Sequence, residues 1–206
     1  LDGTTGTAKT EILNLLPGLG MQVIDLEGLA RHRGSLFGGM GGQPSQKAFE
    51  TALALALARL DPARPVVVEA ESSKIGDCRL PPELWKAMVA APRVAIAAPR
   101  AARAVYLARA YRDLTADAAR LQATVSLLQA AHPHEVIEAW QALAAAGDHA
   151  ALADSLMEQH YDPRYGKHRA RMAAPLAEIT AENLAPADLT GLAARVAAAV
   201  QKLNPA

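Results

Sequence analysis

The chain has 206 residues, which a prior of roughly 150 residues per domain reads as one domain, or one domain carrying an insertion. Its composition is 51% hydrophobic but only 4% aromatic, so alanine, leucine and valine make up the apolar mass; this favours helix packing and excludes an aromatic-rich β-sandwich. Lys+Arg and Asp+Glu both total 21, so any charged site must come from local clustering, and the single cysteine, Cys78, excludes an internal disulfide framework or a CxxC motif and fits a cytoplasmic, reducing compartment. The apolar stretches around Ala52–Leu60 and near the C-terminus are cut by Arg59, Arg195 and Lys202, so no run of eighteen apolar residues is present and a soluble protein is expected.

The first ten residues are the most informative. Gly3-Thr4-Thr5-Gly6-Thr7-Ala8-Lys9-Thr10 nearly matches the phosphate-binding loop G-x-x-x-x-G-K-[ST], and the apolar-periodic Glu11 to Leu16 follows as its helix. Such a loop aims successive backbone N–H groups at phosphate oxygens, with Lys9 as a mobile cation and Thr10 as a hydroxyl for a phosphate-bound metal. The departure is Ala8, where a positive φ would cost on the order of 1–2 kcal/mol. A phosphate loop hangs from a buried strand, yet only Leu1 and Asp2 precede Gly3, so the expectation is a truncated first strand and an upstream portion beyond this sequence.

Beyond the Pro17–Gly20 breaker, Met21 to Leu26 reads as a buried strand ending in the acids Asp25 and Glu27. Residues 31–46 form a long Gly/Ser/Gln-rich loop, Ser45 caps a helix through about Leu60, and Pro65 to Ala70 is a strand ending in Glu69 and Glu71. A helix is expected over Pro82 to Val89, a strand over Val94 to Ala98, and a helix from Pro99 through Leu114. Only helical pattern runs from Thr115 to about His160; a last strand at 175–180 and a helix from Asp188 to Leu203 complete the chain. The expected fold is therefore α/β, a P-loop NTPase-like parallel sheet with helices on both faces. Residues 1–114 and 171–206 form its core and 115–170 a helical insertion or lid. The ending is like that of phosphate-loop kinases, in which the last strand returns beside the first.

Five segments in order carry a resemblance: GTTGTAKTEIL at the loop, DLEGLARHRGSLFG at Asp25 to Gly38, QPSQ with FE at Gln43 to Glu50, VVVEAES with KIG at Val66 to Gly76, and HYDPRYGKHR at His160 to Arg169. From residue 3 to about 169 the chain resembles the phosphate-loop domain of tRNA 2-selenouridine synthases. The resemblance implies a tRNA-modifying transferase in which a rhodanese-like domain with an essential cysteine, missing from this chain, precedes the phosphate-loop domain. It also implies conversion of wobble 2-thiouridine to 2-selenouridine through an S-geranyl intermediate, with geranyl diphosphate and selenophosphate as substrates. Both substrates present the phosphoryl oxygens that the loop is suited to hold.

Lys9, Glu27, Arg31, Glu69 and Glu71 are the candidate catalytic residues, and Thr10 with Asp25 the candidate ligands of a magnesium ion. His32, Arg33, Ser35, Gln43, Ser45, Ser72 and Ser73 are candidate substrate or tRNA contacts. Arg100, Arg103, Arg109 and Arg112, spaced at i+3 within an acid-free stretch, are expected to form a basic ridge for tRNA. Tyr161, Arg164, Tyr165 and Arg169 interleave aromatics with cations, a pattern suited to base stacking and backbone neutralisation. Cys78 is expected to be structural. Three other readings stay open on the residues: a small-molecule P-loop kinase or NTPase, a tRNA prenyltransferase of the dimethylallyl type, and a non-catalytic tRNA-binding fragment.

Overall fold

Short β-branched runs build the centre of the computed structural model, which describes residues 1–70, 72–169 and 174–203, and for 167–169 the backbone alone. The strands in chain order are β1 (Asp2–Gly3), β2 (Gln22–Ile24), β3 (Val66–Val68), β4 (Lys74–Ile75), β5 (Cys78–Arg79), β6 (Val94–Ala97) and β7 (Ala177–Thr180). β2 runs parallel to β3 with Gln22 opposite Val66, and β6 runs parallel to both β1 and β7, with Asp2 opposite Ala95 and Val94 opposite Ala177. The Leu1 nitrogen donates to Val68 O at 2.6 Å and Ala70 N donates to Leu1 O at 2.8 Å, a parallel pattern that joins the two ladders. The resulting order is β2-β3-β1-β6-β7. The last strand therefore lies outside β6, at the sheet edge, and not beside the first strand as the kinase-like ending suggested.

Side-chain alternation explains the layers. Val23 and Val67 face one core with Ile12, Leu13 and Leu16 of α1 (Lys9–Leu15) and its C-terminal extension, and with Leu192 and Val196 of the C-terminal helix Pro186–Leu203. Ile24 and Val68, one residue along, face a second core with Phe49 and Leu53 of the helix Gln46–Leu57 and Trp85 of the helix Pro82–Ala90. Helices therefore cover both faces of this part of the sheet. α2 (Leu26–Ala30) precedes these two helices, which we number α3 and α4. The α3 cap is the expected one, the Ser45 hydroxyl accepting from Ala48 N at 3.3 Å.

The remaining helices are α5 (Arg100–Ala110), α6 (Arg112–Thr115), α7 (Ala118–Ser126), α8 (His134–Ala145), α9 (His149–Leu156), α10 (Asp162–Arg169) and α11 (Pro186–Leu203). α6 to α9 bury a core of their own around Trp140, Val125 and Ile137, and Phe37 from the long loop inserts into it. A π-type turn, Met157–Tyr161, leads from α9 into α10. The expected helix from Pro99 to Leu114 is broken at Tyr111, whose φ of −106° and ψ of 26° lie outside the helical well. No helix among the described residues is long and apolar enough to cross a membrane.

Candidate active site at the phosphate loop

Between β1 and α1 the chain makes a tight loop with unusual backbone angles. Ala8 adopts φ 59° and ψ 25°, the left-handed conformation that glycine favours, and is 2% exposed. Gly6, at φ +83°, leaves room that a Cβ would lose against Arg103 Cβ at 3.1 Å and Leu107 at 3.0 Å. A Cβ on Gly3 would stand 2.4 Å from Thr7 Oγ1 and 2.8 Å from Ile96 O. Thr7 is turned inward, its hydroxyl donating to Thr4 O at 2.9 Å. Lys9 reaches back over the loop, its Nζ donating to Gly3 O at 2.8 Å and Thr4 O at 3.3 Å, and Thr10 Oγ1 donates to Glu27 Oε2 at 2.7 Å.

The acids separate into different environments. Asp25 caps α2, accepting from Gly28 N at 2.7 Å, and with Glu27 lines the cleft that holds Lys9 and Thr10. Glu69 is fully buried behind them; Leu26 N donates to its Oε2 at 3.1 Å, and Oε1 has no partner among the described residues. Burial, reinforced by the Asp25 carboxylate, pushes its pKa up to about 9, so it is a neutral acid at pH 7. Glu71 lies outside the described residues. Cys78 is buried beneath Gln43 and Pro44, and burial pushes its thiol up, as befits a structural residue.

The long loop divides its predicted residues between two tasks. Arg33 lies over the Tyr111 ring at 4.8 Å and pairs with Asp113 at 3.0 Å, while the Ser35 hydroxyl meets Tyr111 OH at 3.3 Å; both residues line the cleft. Arg31 ends α2 at φ 50° with its side chain exposed, and His32 Nδ1 accepts from Gly34 N. Gln43 and Ser45 lie away from the cleft. Gln43 is a clasp, donating to Ala30 O and Ile75 O and accepting from Asp77 N at 2.7 Å, and Ser45 is the α3 cap. Ser72 lines the cleft, whereas Ser73 is exposed beyond it.

The basic ridge is not formed. Arg103 is 6% exposed and locked in a two-pronged pair with Asp162 at 2.7 and 2.9 Å, with Nη1 also donating to Thr5 O at 3.0 Å. Arg100 pairs with Asp154 and Glu158, and Arg109 with Glu11 and Leu184 O. Arg112 alone of the four is exposed without an ion pair among the described residues. The i+3 spacing was blind to these partners because each acid comes from another helix.

Tyr161, Arg164 and Tyr165 are brought to the phosphate loop. Tyr165 OH donates to Asp2 Oδ1 and accepts from Gly3 N at 3.2 Å, and Arg164 lines the same cleft beside His160. The Arg169 side chain lies outside the described atoms. Residues missed in the sequence complete the wall: Tyr106 and Tyr111 join Tyr161 and Tyr165, so that all four tyrosines of the chain line one cleft of about 620 Å³. In a chain so poor in aromatics, the rarity of tyrosine was the available signal.

Known proteins resemble this chain over much of its length. Residues 1–132 match the family described as the tRNA 2-selenouridine synthase AAA domain. The tRNA 2-selenouridine synthase of Hahella chejuensis is 35% identical over 194 residues, covering 80% of this chain and 50% of its own length. That of Alcanivorax borkumensis is 48% identical over 99 residues, covering 47% and 26% respectively. The Aeromonas salmonicida protein of the same name is 44% identical over 114 residues, covering 54% and 30%. The chain thus spans between a quarter and half the length of these relatives. No solved structure matches it. With its loop, parallel sheet and most of its length accounted for, the chain belongs to the tRNA 2-selenouridine synthase family.

Proposed function

We propose that this chain is the phosphate-loop part of a tRNA-modifying transferase and that Gly3 to Thr10 holds the diphosphate of geranyl diphosphate, or the phosphoryl group of selenophosphate, beside a wobble 2-thiouridine. The observation that carries the reading is the convergence on one cleft of the loop, Lys9, the Thr10–Glu27 pair and the tyrosine wall. The Lys9 ammonium rests on two loop carbonyls, close to where a diphosphate would bring negative charge. As the allylic C–O bond breaks, charge grows on the leaving diphosphate, and fixed N–H donors with a lysine stabilise it without reorganising. The attacking atom is the thiouridine sulfur, so this chain supplies no nucleophile for the step.

A magnesium ion fits the donor chemistry. No group of three or more His, Cys, Asp or Glu forms a cage among the described residues, but Mg²⁺ commonly takes one or two carboxylates together with phosphate oxygens and water. Thr10, Glu27 and Asp25 would hold it, and it would neutralise phosphate charge. For the tRNA, the exposed cations Arg31 and Arg112 replace the absent ridge as the candidate backbone contacts. The kinase and NTPase readings lose ground to the family membership, which bears on the fold's family and not on whether this part acts alone.

Titration calorimetry with geranyl diphosphate tests the proposal. Lys9→Ala weakens binding by about 1.5–3 kcal/mol, the worth of a lost charge-assisted hydrogen bond. Equal affinity in the two proteins would refute the assignment of Lys9 and the loop.

A further inference from the structure

At the end of the sheet away from the phosphate loop, an open groove of about 340 Å³ runs between β3 and β6, with Leu1 at its inner end. The bonds from Leu1 N to Val68 O and from Ala70 N to Leu1 O set Leu1 opposite Glu69, and the pairing of Asp2 with Ala95 sets it opposite Val94. Val68, Val67 and Val66 extend past that point along the groove. β3 and β6 flank β1, so they stand two strand spacings apart, roughly 10 Å, the width that one extended chain fills. The walls are apolar on both faces: Trp85 and Met88 of α4 on one, Val200 and Leu203 of α11 on the other. Val66 and Val89, at 37% and 49% exposed, are large apolar residues left open there. The Leu1 ammonium is enclosed, and burial pushes its pKa down to about 6. A peptide N–H in its place would make the same bond to Val68 O with no charge to desolvate.

We infer that the groove is a docking slot for an extended, apolar segment of the same polypeptide that leads directly into Leu1, lengthens β1 at its N-terminal end and sets that segment in register with the phosphate loop. Leu1 packs with Val67 and Val94 in the core that α11 covers, so strand alternation points the residue before it towards Trp85 and Met88, the next towards Val200 and Leu203, and the third towards α4 again. A segment buried on both faces in this way is a continuous apolar, β-branched run. At least half of each relative described above lies outside the stretch it shares with this chain, ample length to carry such a run. β1 continues into the phosphate loop, and Asp2 is pinned to Arg93 at 2.8 Å, so whatever part of the polypeptide carries the segment is held at a fixed step from Gly3. The role of the slot is independent of what the loop binds.

The test compares the 206-residue chain with two versions lengthened ahead of Leu1 by four residues, Val-Val-Ile-Val in one and Gly-Ser-Gly-Ser in the other. The apolar extension is expected to raise the melting temperature by about 5 °C or more over the Gly-Ser extension. It is also expected to shield Trp85 from acrylamide quenching, which the Gly-Ser extension does not; Trp140, the other tryptophan, is fully buried in the helical core and serves as the internal control. Val200→Glu and Met88→Lys each put a charge in the groove from one face. Each is expected to abolish the gain from the apolar extension while moving the melting temperature of the unextended chain by less than about 3 °C. Circular dichroism checks folding, and if one variant does not fold, the other and the comparison of the two extensions still decide. Equal melting temperatures and equal quenching for the two extensions, or a gain that survives both charges, would overturn the slot. Concentration-dependent shielding of Trp85 in the unextended chain, with a doubled mass in sedimentation, would give the groove to a second copy and overturn it too.

Discussion

The two walls of the cleft are held by different kinds of force. The loop wall is local: Gly3 to Thr10 is shaped by the angles of Gly6 and Ala8, by the Thr7–Thr4 bond and by Lys9 bonding within the same turn. The tyrosine wall is assembled across the chain, from α5, the Tyr111 break, the π-type turn and α10. It is fastened to the loop by Arg103 to Asp162 and Thr5 O, and by Tyr165 to Asp2 and Gly3. One wall keeps its shape through backbone geometry and the other through a few long-range polar clasps, so single substitutions should separate them.

The largest effect is expected at the clasp. Arg103→Ala leaves Asp162 facing the loop without its cation and removes the link to Thr5 O, at a cost of about 3 kcal/mol. Thermal unfolding should shift down by about 6–12 °C for a chain of this size. A shift under 2 °C would mean the helical layer is held by its apolar core alone.

An intermediate and pH-dependent effect is expected behind the loop wall. The Glu69 pKa rises to about 9 in the fold from an ordinary 4.5, chiefly by burial. The folded state therefore keeps a proton that the unfolded chain releases, and stability falls as pH climbs from about 4.5 to 9. Glu69→Gln removes that loss, so its melting temperature relative to the parent should rise steadily between pH 5 and 9. A difference independent of pH would show that Glu69 is ionised in the folded protein.

The smallest effect should come at Ala8. Glycine there relieves left-handed strain but loosens the unfolded chain and gives up a buried methyl, so Ala8→Gly should change stability by less than about 1 kcal/mol. Geranyl diphosphate affinity should stay within about threefold, because the alanine already occupies the required angles. A large gain in affinity would show that the methyl obstructs the loop.

The contrast between the walls also accounts for what was legible in the sequence. A contiguous motif states its own geometry, so the loop, the Ser45 cap and the strands at 22–24, 66–68, 94–97 and 177–180 followed from periodicity and local chemistry. α2 was missed because Asp25 was taken for a strand end when it is the helix cap. The β4–β5 hairpin was missed because strands of two residues have no measurable alternation, although Gly76-Asp77 carried a turn signal. The arginine ridge failed, and half of the tyrosine wall went unnoticed, for one reason: partners from distant helices leave no trace in the spacing of neighbours.

The long loop is a strut between layers. Phe37 plugs it into the helical core, Arg120 grips it at Gly39 O, and Gln43 bolts its far end to Ala30, Ile75 and Asp77. Between these anchors Gly42 has open space where a side chain would stand, whereas Gly41, at φ +101°, would be strained by one; Met40 beside them lines the cleft wall. Position 42 is therefore a natural seat for a reporter: a fluorophore joined there would stand two residues from Met40 of the cleft wall while all three anchors keep their hold.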